Sequence, residues 1–527
     1  MADDDGFDLV IYGDTSAAVT AGVAAARRGA DAVIVAPKDR LGGMTTNGLG
    51  WTDIGDDRIL GGIAREFYAR AWAHYTDPSV WTWQDRADFD LGGSLWNAAD
   101  ELAGVFEPHV AVAIYDELLA DAGVPVETGK WLDRDDGVEV DGGRVVSITT
   151  LDGSTYRGDV FIDATYEGDL YAAAGIEYTV GREGTDAYDE EWAGVQKGAN
   201  HHRHNFAVLD EPVDPYVEPG DPDSGLLPLI SPDHPGENGE PDEKLQAFNY
   251  RLCMTDVPEN RIDWIEPDGY DPAEFELLAR VYEAGWREQF QKFDPLPNGK
   301  TDVNNHGPVS TDHIGASYDY PEASYEERRA IEDEHVRYQR SYFYFVATDP
   351  RVPEEIQTEM NRWGLAADEF TANDHWPEQI YVREARRLVG TSVMTEHEVL
   401  GRRDVEKPVG MGGYTLDSHH AQRYVDTDGA VQNEGDIGVS PPHPYSVSYD
   451  ALTPKADQCP NVLVPVALSS SHIAFGSIRM EPVYMILGQS AATAATMAAE
   501  RDLAVQDVPY DELASALEDD DQRLTLG

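Results

Sequence analysis

The sequence predicts an α/β fold in which helices flank a parallel central sheet. Three observations lead to this prediction: a strand–helix–strand unit at residues 7–35, a buried strand ending in small residues at 159–165, and an apolar strand at 461–466. A segment suited to a helix follows each strand, and such alternation is typical of a doubly wound sheet. This is the Rossmann-like arrangement, and 527 residues are enough for two or more domains.

The opening unit has the pattern of a nucleotide-binding turn. An apolar strand at residues 7–12 leads through Gly13 into a helix of small residues that ends at Gly29, and a second strand follows at 32–35. The free N–H groups and the positive dipole end of such a helix bind the pyrophosphate of a dinucleotide. On this segment alone, a doubly wound fold that binds no dinucleotide remains an alternative.

The turn departs from the usual G-x-G-x-x-G pattern. Thr15 and Ala18 stand where the second and third glycines would be. Ala18 is still small enough for the helix to pack on the strand, and the Thr15 hydroxyl can bond to a phosphate. The acid that normally binds the ribose at the end of the second strand is absent or displaced to Asp39.

The composition is strongly acidic. Acidic residues outnumber basic ones 99 to 39, which gives a net charge of -60 and a pI near 4.3. The acids are spread along the chain and lysine is scarce, as in halophilic archaea, whose molar salt shortens the Debye length to about 3 Å. A hydrophobic content of 41% argues against disorder. The charge disfavours nucleic acid and anionic membranes, so we expect a cytoplasmic protein with a small-molecule substrate.

Other residue patterns exclude further classes. Cys253 and Cys459 are too few for a disulfide framework, and we expect both to be buried thiols. The acidic N-terminus lacks the apolar run of a signal peptide, and no apolar stretch approaches the length of a membrane span. His201, His202 and His204 are close neighbours on one loop without further ligands in sequence, so we expect no metal site.

Two segments after the opening unit have more than one interpretation. The glycine-rich residues 42–50 could be a simple connection, but their position after the strand–helix–strand unit favours contact with a flat cofactor. The aromatic residues at 67–96 could stack on sugar or flavin rings, although packing in the core is the favoured interpretation.

The rest of the chain gives a coarser pattern. The predicted elements are a helix at 107–122, a strand at 124–127, a meander at 137–157, a long loop near 205–245, a largely helical region at 270–363 interrupted near 295–321, a helix from 376 to 393, and a helix of small residues at 483–499. A second glycine-rich stretch at 409–416 precedes the polar residues Asp417, Ser418, His419 and His420.

Six segments carry a resemblance that spans nearly the whole chain. They are the opening turn, LGGMTTNGLGWTD, FEPHVA, DATYEGDLYAAAG, WPEQIYVREARRLVG and SSSHIAFGSIRMEPVYMILGQSAATAA. Together they resemble a family of FAD-dependent oxidoreductases, a branch of the glutathione-reductase and fumarate-reductase type flavoproteins in which some members are named "xanthan lyase". The resemblance implies an FAD domain in two parts, 1–175 and 446–504. A substrate domain with a helical insertion lies between them at 176–445, with 376–400 packed near the FAD domain, and a helix or tail follows at 505–527.

The resemblance also implies the residues that bind FAD. The pyrophosphate is expected at Gly13, Asp14, Thr15, Ser16 and Ala17, and the adenine near Val126. Further contacts are expected from Lys38, Arg40, Gly42, Gly43, Met44, Thr45, Ala164 and Thr165. Gly476, Ser477, Ile478 and Met480 are expected to reach the ribityl chain and the flavin, where the positive end of the following helix stabilises a reduced, anionic ring.

A flavin enzyme of this kind needs a group that removes a proton while the flavin accepts hydride at N5. His472, beside the second cofactor segment, is the first candidate for this base. His306, His375 and His419 lie in polar loops and are further candidates, and each is also compatible with a structural role. Arg479 directly follows the second cofactor segment and is a candidate for the catalytic site.

The charged residues Arg383, Glu384, Arg386 and Arg387 lie together on the helix predicted from 376. Internal ion pairing is the favoured role for them, and substrate binding is the second.

The functional hypothesis is therefore a flavoprotein dehydrogenase or oxidase for a small polar substrate, with sugars or sugar-derived acids as one class. Three alternatives stay open: a polysaccharide lyase, which needs no flavin; a flavin-binding tRNA-modifying protein, which the charge disfavours; and a non-catalytic scaffold.

Overall fold

The computed structural model describes residues 6–89 and 91–526, and for residue 94 the backbone only. Residues 1–5, on which the expectation about a signal peptide partly depends, and residue 527 lie outside the described part. Within it, no helix has both the length and the apolar character needed to cross a bilayer.

The described residues form 22 strands and 13 α-helices. The strands are β1 (Phe7–Tyr12), β2 (Ala32–Val35), β3 (Trp96–Asn97), β4 (Leu102–Ala103), β5 (Val126–Glu127), β6 (Val138–Asp141), β7 (Arg144–Thr149), β8 (Thr155–Asp163), β9 (Tyr178–Thr179), β10 (Leu252–Thr255), β11 (Arg261–Ile262), β12 (Phe293–Leu296), β13 (Lys300–Val303), β14 (Gly364–Ala366), β15 (Arg387–Leu388), β16 (Pro408–Gly412), β17 (Leu416–Ser418), β18 (Gln422–Val425), β19 (Val431–Glu434), β20 (Ile437–Val439), β21 (Tyr445–Ser448) and β22 (Val462–Leu463). The helices are α1 (Ser16–Arg27), α2 (Gly43–Thr46), α3 (Gly62–Thr76), α4 (Pro108–Ala122), α5 (Asp169–Ala173), α6 (Thr185–Tyr188), α7 (Glu276–Glu283), α8 (Tyr325–Thr348), α9 (Glu354–Met360), α10 (Glu396–Val399), α11 (His472–Ile478), α12 (Glu481–Arg501) and α13 (Tyr510–Asp519).

The main sheet has seven strands in the order β5-β2-β1-β8-β7-β6, with β22 also paired to β8. The pairs β1–β2, β1–β8, β2–β5 and β22–β8 are parallel, whereas β6, β7 and β8 form an antiparallel meander. Strands β1 and β2 consist almost entirely of apolar, buried residues, as expected when helices cover both faces of a parallel sheet. The predicted α/β fold with a parallel central sheet is confirmed.

Small residues let the two ends of the chain pack closely. Helix α12 crosses α1 at Gly488, where an added Cβ would lie 2.4 Å from the carbonyl oxygen of Ala17 and 2.4 Å from the hydroxyl of Thr20. Thr20 donates to the carbonyl of Met485 across the same contact, at 2.8 Å. The close approach brings the N-terminal ends of α1 and α12 to the same side of the sheet.

A second, antiparallel sheet has the strand order β11-β14-β10-β13-β12, and helices α7, α8 and α9 belong to the same part of the chain. The hairpin of β12 and β13 accounts for the interruption expected near 295–321. The aromatic residues after α2 pack in the core, as predicted: the Phe67 ring lies 5.4 Å from Phe106 and 4.7 Å from Tyr115. Cys253 and Cys459 are buried free thiols, also as predicted.

The helix predicted from 376 to 393 is wrong. The segment is irregular except for β15, which pairs with β9. Its charged side chains bond in different directions: Arg383 to Asp312 at 2.9 Å and Arg386 to Asp169 at 2.9 Å. A helix would have placed residues three and four apart on one face, so these long-range ion pairs decide the conformation. The favoured role of internal ion pairing is confirmed.

Candidate active site

A crevice lies at the carboxyl edge of the parallel strands. Residues after β1, β2 and β8 line it, namely Asp14, Lys38 and Thr165. Gly13, at the start of the turn, has a φ of +139°, and an added Cβ would lie 2.3 Å from the carbonyl oxygen of Ala164. Only glycine fits this position, so the turn is held close against the end of β8.

Thr15, which departs from the glycine pattern, caps α1. Its Oγ1 accepts from the amide of Ala18 at 3.4 Å and donates to the carbonyl of Ala164 at 2.7 Å. The first-turn N–H groups of Ser16 and Ala17 have no intrahelical acceptor, as in every α-helix. Thr15, in place of the second glycine, therefore leaves the N–H groups of Ser16 and Ala17 free to bind an anion and links the start of α1 to the residue after β8.

Asp14 faces the crevice with a buried carboxyl group. Burial raises the pKa of this carboxyl above its ordinary value, against the opposing charge of Lys38, and Oδ2 has no partner among the described residues. The Asp14 carbonyl accepts from the amides of Gly42 and Gly43 at 2.7 and 3.1 Å. The N–H groups of these two glycines thus hold the turn in place, and the Gly43 carbonyl accepts from Thr46 and Asn47 at 3.1 and 2.8 Å.

The start of α12 meets the start of α1 at Glu481. Its carboxylate accepts from Ser16 at 2.5 Å, from Thr45 at 3.0 Å and from Tyr166 at 2.5 Å. The Met44 amide donates to the same Tyr166 hydroxyl at 2.9 Å. Burial raises the pKa of Glu481 despite these donors. The two helix ends predicted to share one ligand are therefore adjacent.

No helix was predicted for the second cofactor segment, but most of it is helical. Gly476, Ser477 and Ile478 lie inside α11, which Ser471 caps by accepting from the amide of Ala474 at 3.3 Å. The run of serines before His472 is a helix-start signal that the sequence interpretation missed. Met480 is the residue before α12 and remains beside the helix end.

Residues 378 and 379 lie at one end of the crevice, where Gln379 lines the crevice and Glu378 a neighbouring cavity. Gln379 accepts from Lys38 at 2.5 Å, and Glu378 lies 3.6 Å from the guanidinium of Arg40. Arg40, Val126 and Glu378 line a second cavity. Predicted cofactor residues therefore line both cavities, and the turn, the paired helix ends and the crevice fit a dinucleotide's pyrophosphate and ribose.

A buried charged group lies beyond the start of α12. Arg479 bonds to Asp417 at 2.8 Å and to the Tyr381 hydroxyl at 2.8 Å. His419 places Nδ1 2.7 Å from Asp312 and Nε2 3.5 Å from Asp417. We call these five residues the Asp417 cluster. Although burial alone would raise it, the pKa of Asp417 is lowered by His419 and Arg479, so its carboxylate is ionised.

His472 lies next to this cluster and is buried. Its Nδ1 is 2.7 Å from Glu384, and its Nε2 is 3.3 Å from the Ser418 hydroxyl. Burial alone would raise the pKa of Glu384, but His472 and Arg387 lower it. The result is a carboxylate–imidazole–hydroxyl series in which the carboxylate fixes the ring orientation.

His306 belongs to a neighbouring group of histidines. Its Nδ1 is 3.3 Å from Nε2 of His204, and the His204 ring lies 5.7 Å from His202 and 6.5 Å from His420. Burial lowers the pKa of His204 and of His420, the latter to about 4. Thus the structure brings together loop histidines that no sequence pattern groups with His306.

Four of the five candidate catalytic residues, His306, His419, His472 and Arg479, therefore fall in one region, since His202 also lies 3.6 Å from Asp417. His375 does not: its Nδ1 faces the carbonyl of Glu369 at 3.0 Å, away from the Asp417 cluster. Asp312 was missed, because no local pattern marks it and its partners are distant in sequence.

Comparisons with known proteins give one match over most of the chain. A model of the family described as FAD dependent oxidoreductase matches residues 8–517. No curated protein gives a significant match. 

Solved structures match only part of this chain and at low sequence identity. One is 3-ketosteroid-delta4-(5alpha)-dehydrogenase from Rhodococcus jostii RHA1, with 19% identity over 31% of this chain and 47% of that chain and a TM-score of 0.20. Two others are L-amino acid deaminase from Proteus vulgaris (15% identity, 34% of this chain, 53% of that chain, TM-score 0.25) and L-proline dehydrogenase from P. horikoshii (13% identity, 34% of this chain, 59% of that chain, TM-score 0.24). The chain spans between 47% and 59% of the length of these structures.

Proposed function

The chain belongs to the FAD dependent oxidoreductase family, its cofactor is FAD, and we propose that it oxidises a small polar substrate beside the Asp417 cluster. Sugars and sugar-derived acids are the substrate class we favour. The observation that carries the proposal is the meeting of α1 and α12 at the 2.5 Å contact between Ser16 and Glu481, with the Asp417 cluster directly beyond it.

The residues that hold the cofactor divide between the two ends of the chain. We assign the pyrophosphate to the first turn of α1, whose free N–H groups favour an anion, and the ribose side to Lys38 and Thr165. Glu481 and Thr45 would supply polar groups to the ribityl chain. When bound, FAD accepts a hydrogen and an electron pair at N5 from a substrate C–H bond.

Arg479 is the residue we assign to substrate orientation. Its Nη1 and Nη2 are occupied by Tyr381 and Asp417, whereas its buried Nε has no acceptor among the described residues. A buried donor without a partner costs about 1–3 kcal/mol, so a ligand oxygen at this position is favoured. A substrate hydroxyl or carboxylate oxygen would fill it.

His419 is the base we favour over His472. Asp312 contacts Nδ1 of His419 at 2.7 Å, whereas Nε2 has only the longer contact of 3.5 Å to Asp417, so Nε2 is the nitrogen that would exchange a proton with the substrate. The carboxylates of Asp312 and Asp417 would stabilise the imidazolium. The His419 side chain is 10% exposed, whereas that of His472 is 2% exposed. We assign His472 a structural role beside the Asp417 cluster, held by Glu384 and Ser418.

Anaerobic flavin bleaching tests the proposal. Purified protein in molar KCl is mixed with sugars, polyols and organic acids, and the loss of flavin absorbance is followed. We expect His419→Gln to slow bleaching by about 10²–10⁴-fold without altering the bound-flavin spectrum, and His472→Gln, the matched control, to slow it much less.

Two results would contradict the proposal. One is protein that neither carries nor takes up FAD. The other is an ultraviolet-absorbing unsaturated product formed from a polysaccharide by FAD-free protein, which would favour the lyase alternative.

A further inference from the structure

Asp417 lies between two histidines. Nε2 of His419 is 3.5 Å from Asp417 Oδ2, and Nε2 of His202 is 3.6 Å from Asp417 Oδ1. A second carboxylate contacts the other nitrogen of each ring. Nδ1 of His419 lies 2.7 Å from Asp312, and Nδ1 of His202 lies 2.6 Å from Asp436. Three carboxylates and two imidazoles therefore alternate in one series from Asp312 to Asp436.

The exposure of the side chains differs along this series. Asp312 is buried and pairs at 2.9 Å with Arg383, which is itself fully buried. The side chain of His419 is 10% exposed, whereas that of His202 is 33% exposed. The series is thus closed to solvent at Asp312 and reaches solvent at His202.

The surroundings of His202 suit a group that takes up and releases a proton near neutral pH. Burial and the charge of Lys292 lower the pKa of His202, but Asp436 and Asp417 raise it above its ordinary value. The His204 ring lies 5.7 Å away, and burial lowers its pKa, so it stays neutral. A histidine that titrates near the working pH is a common proton shuttle in proteins.

A second row of side chains also leads towards the surface. Nε2 of His204 is 3.3 Å from Nδ1 of His306, and Nε2 of His306 is 3.4 Å from Glu288. Burial lowers the pKa of both histidines, which disfavours a proton on either ring. The other nitrogen of His204 faces the Asn305 amide at 3.2 Å and not Asp417. The route through His202 is therefore favoured.

We propose that His202 releases to solvent the proton that His419 removes from the substrate, with Asp417 passing it between the two rings. The inference rests on the proposed oxidation beside the Asp417 cluster. Asp436 has the same part at His202 as Asp312 has at His419, because each contacts Nδ1 and leaves Nε2 to exchange the proton.

The transfer has three steps. The proton leaves the substrate for Nε2 of His419, and then moves to Oδ2 of Asp417. A turn of the Asp417 carboxyl group about its Cβ–Cγ bond presents it to Nε2 of His202, from which water or a buffer base removes it. Burial alone would raise the pKa of Asp417, but His419 and Arg479 lower it, so this carboxylate holds the proton only in passing. The 3.5 and 3.6 Å contacts must shorten for transfer, as catalytic hydrogen bonds do in substrate complexes.

Stopped-flow mixing tests the inference in a single anaerobic turnover. FAD-loaded protein in weakly buffered molar KCl with a pH-indicator dye is mixed with the sugar, polyol or organic acid that bleaches the flavin fastest. Bleaching reports the oxidation of the substrate, and the dye reports the proton that reaches solvent. In the unaltered protein we expect the two signals to keep pace.

His202→Gln should delay proton release by about tenfold or more relative to bleaching. Imidazole added to the buffer should restore the release, because a small base can reach the place of the partly exposed ring. A purely structural role of His202 would not give this rescue.

Gly438→Ala tests the same step without removing a titratable group. The added Cβ would lie 2.4 Å from Nε2 of His202, so the ring must move from its place beside Asp417, and release should again lag behind bleaching. His234→Gln is the matched control. His234 is exposed, its Nδ1 accepts from the Gly236 amide at 3.2 Å, and its loss should leave the two signals in pace.

NMR titration of carbon-13-labelled histidine rings gives a readout that needs no substrate. The signal absent from His202→Gln identifies His202 in the FAD-loaded protein. We expect it to titrate above pH 6.5, and at a lower pH in Asp436→Asn, because the carboxylate that favours the imidazolium is lost.

Three results would overturn this inference alone. They are proton release that keeps pace with bleaching in His202→Gln and Gly438→Ala, a delay that imidazole does not shorten, and a His202 titration that Asp436→Asn leaves unchanged. Absence of bleaching by every compound in the panel would instead contradict the proposed function, and with it this inference, so the two failures are distinguishable.

Discussion

Replacing Gly488 with alanine should loosen the joint between α1 and α12. Helix propensity alone favours alanine in the middle of a helix by about 1 kcal/mol. The structure predicts the opposite, because the new Cβ would meet the Ala17 carbonyl oxygen and the Thr20 hydroxyl at 2.4 Å, where ordinary contacts begin at 3.4 Å. The Ala17 carbonyl is part of the α1 backbone and cannot turn aside as a side chain could, so the two helices must separate by about 1 Å.

The cost can be approximated from the contacts that this separation stretches. Overpacking costs about 1–3 kcal/mol. The hydrogen bonds of Thr20 to Met485 and of Ser16 to Glu481 would lengthen, at about 1 kcal/mol each. After the favourable propensity is subtracted, we expect the free energy of unfolding to fall by about 2–4 kcal/mol. The variant should also lose FAD, because the two helix ends no longer align.

Urea unfolding and the flavin-to-protein absorbance ratio measure these two effects. Gly22→Ala is the matched control on the partner helix, because its Cβ would meet the flexible end of the Ile34 side chain at 2.6 Å, which can move aside. We expect a change within about 1 kcal/mol for the control. If Gly488→Ala retains full FAD and unfolds at the same or a higher urea concentration, the reasoning from close packing is refuted.

Three further predictions concern buried ionisable side chains. Lys300→Met removes the cation that lies 2.9 Å from Glu107 and 2.7 Å from Glu369, all three being buried, and should lower the free energy of unfolding in urea by about 3–5 kcal/mol; a change below about 1 kcal/mol would contradict it. Burial lowers the pKa of His335 to about 4 from 6.5, so the unfolded chain binds the proton first and stability is lost as the pH falls from 6.5 towards 4. His335→Gln should flatten this pH dependence in urea titrations at several pH values, and an unchanged slope would count against it. Arg479→Lys cannot retain the bonds to both Tyr381 and Asp417, and should slow anaerobic bleaching by about 10²-fold with FAD still bound; bleaching at the normal rate would exclude the assigned role.

The sequence predicted the elements whose signals are local. The apolar runs of β1 and β2, the glycine between β1 and α1, and the small residues of α12 each determine their conformation within a few residues, and the structure has them where they were expected. Residues 376–393 are different, because their conformation depends on carboxylates such as Asp169 and Asp312, far away in the chain. The helix propensity of residues within the segment does not depend on those distant carboxylates, so it could not predict the conformation.

The candidate site divides in the same way. Gly13, Thr15 and Thr165 follow strands and were identifiable from position alone. The partners of His419 and Arg479 were not, because Asp312 and Asp417 become neighbours only after distant loops pack together. Single histidines could be chosen as candidates from the sequence. The partner of each ring nitrogen depends on the tertiary structure and could not be predicted.

The bond between Ser16 and Glu481 joins positions 465 residues apart. During synthesis on the ribosome, the first strand and helix emerge long before the segment that must close over them. The nascent chain thus spends most of translation with an open, apolar helix flank, and chaperone protection or early flavin capture would matter most in that interval.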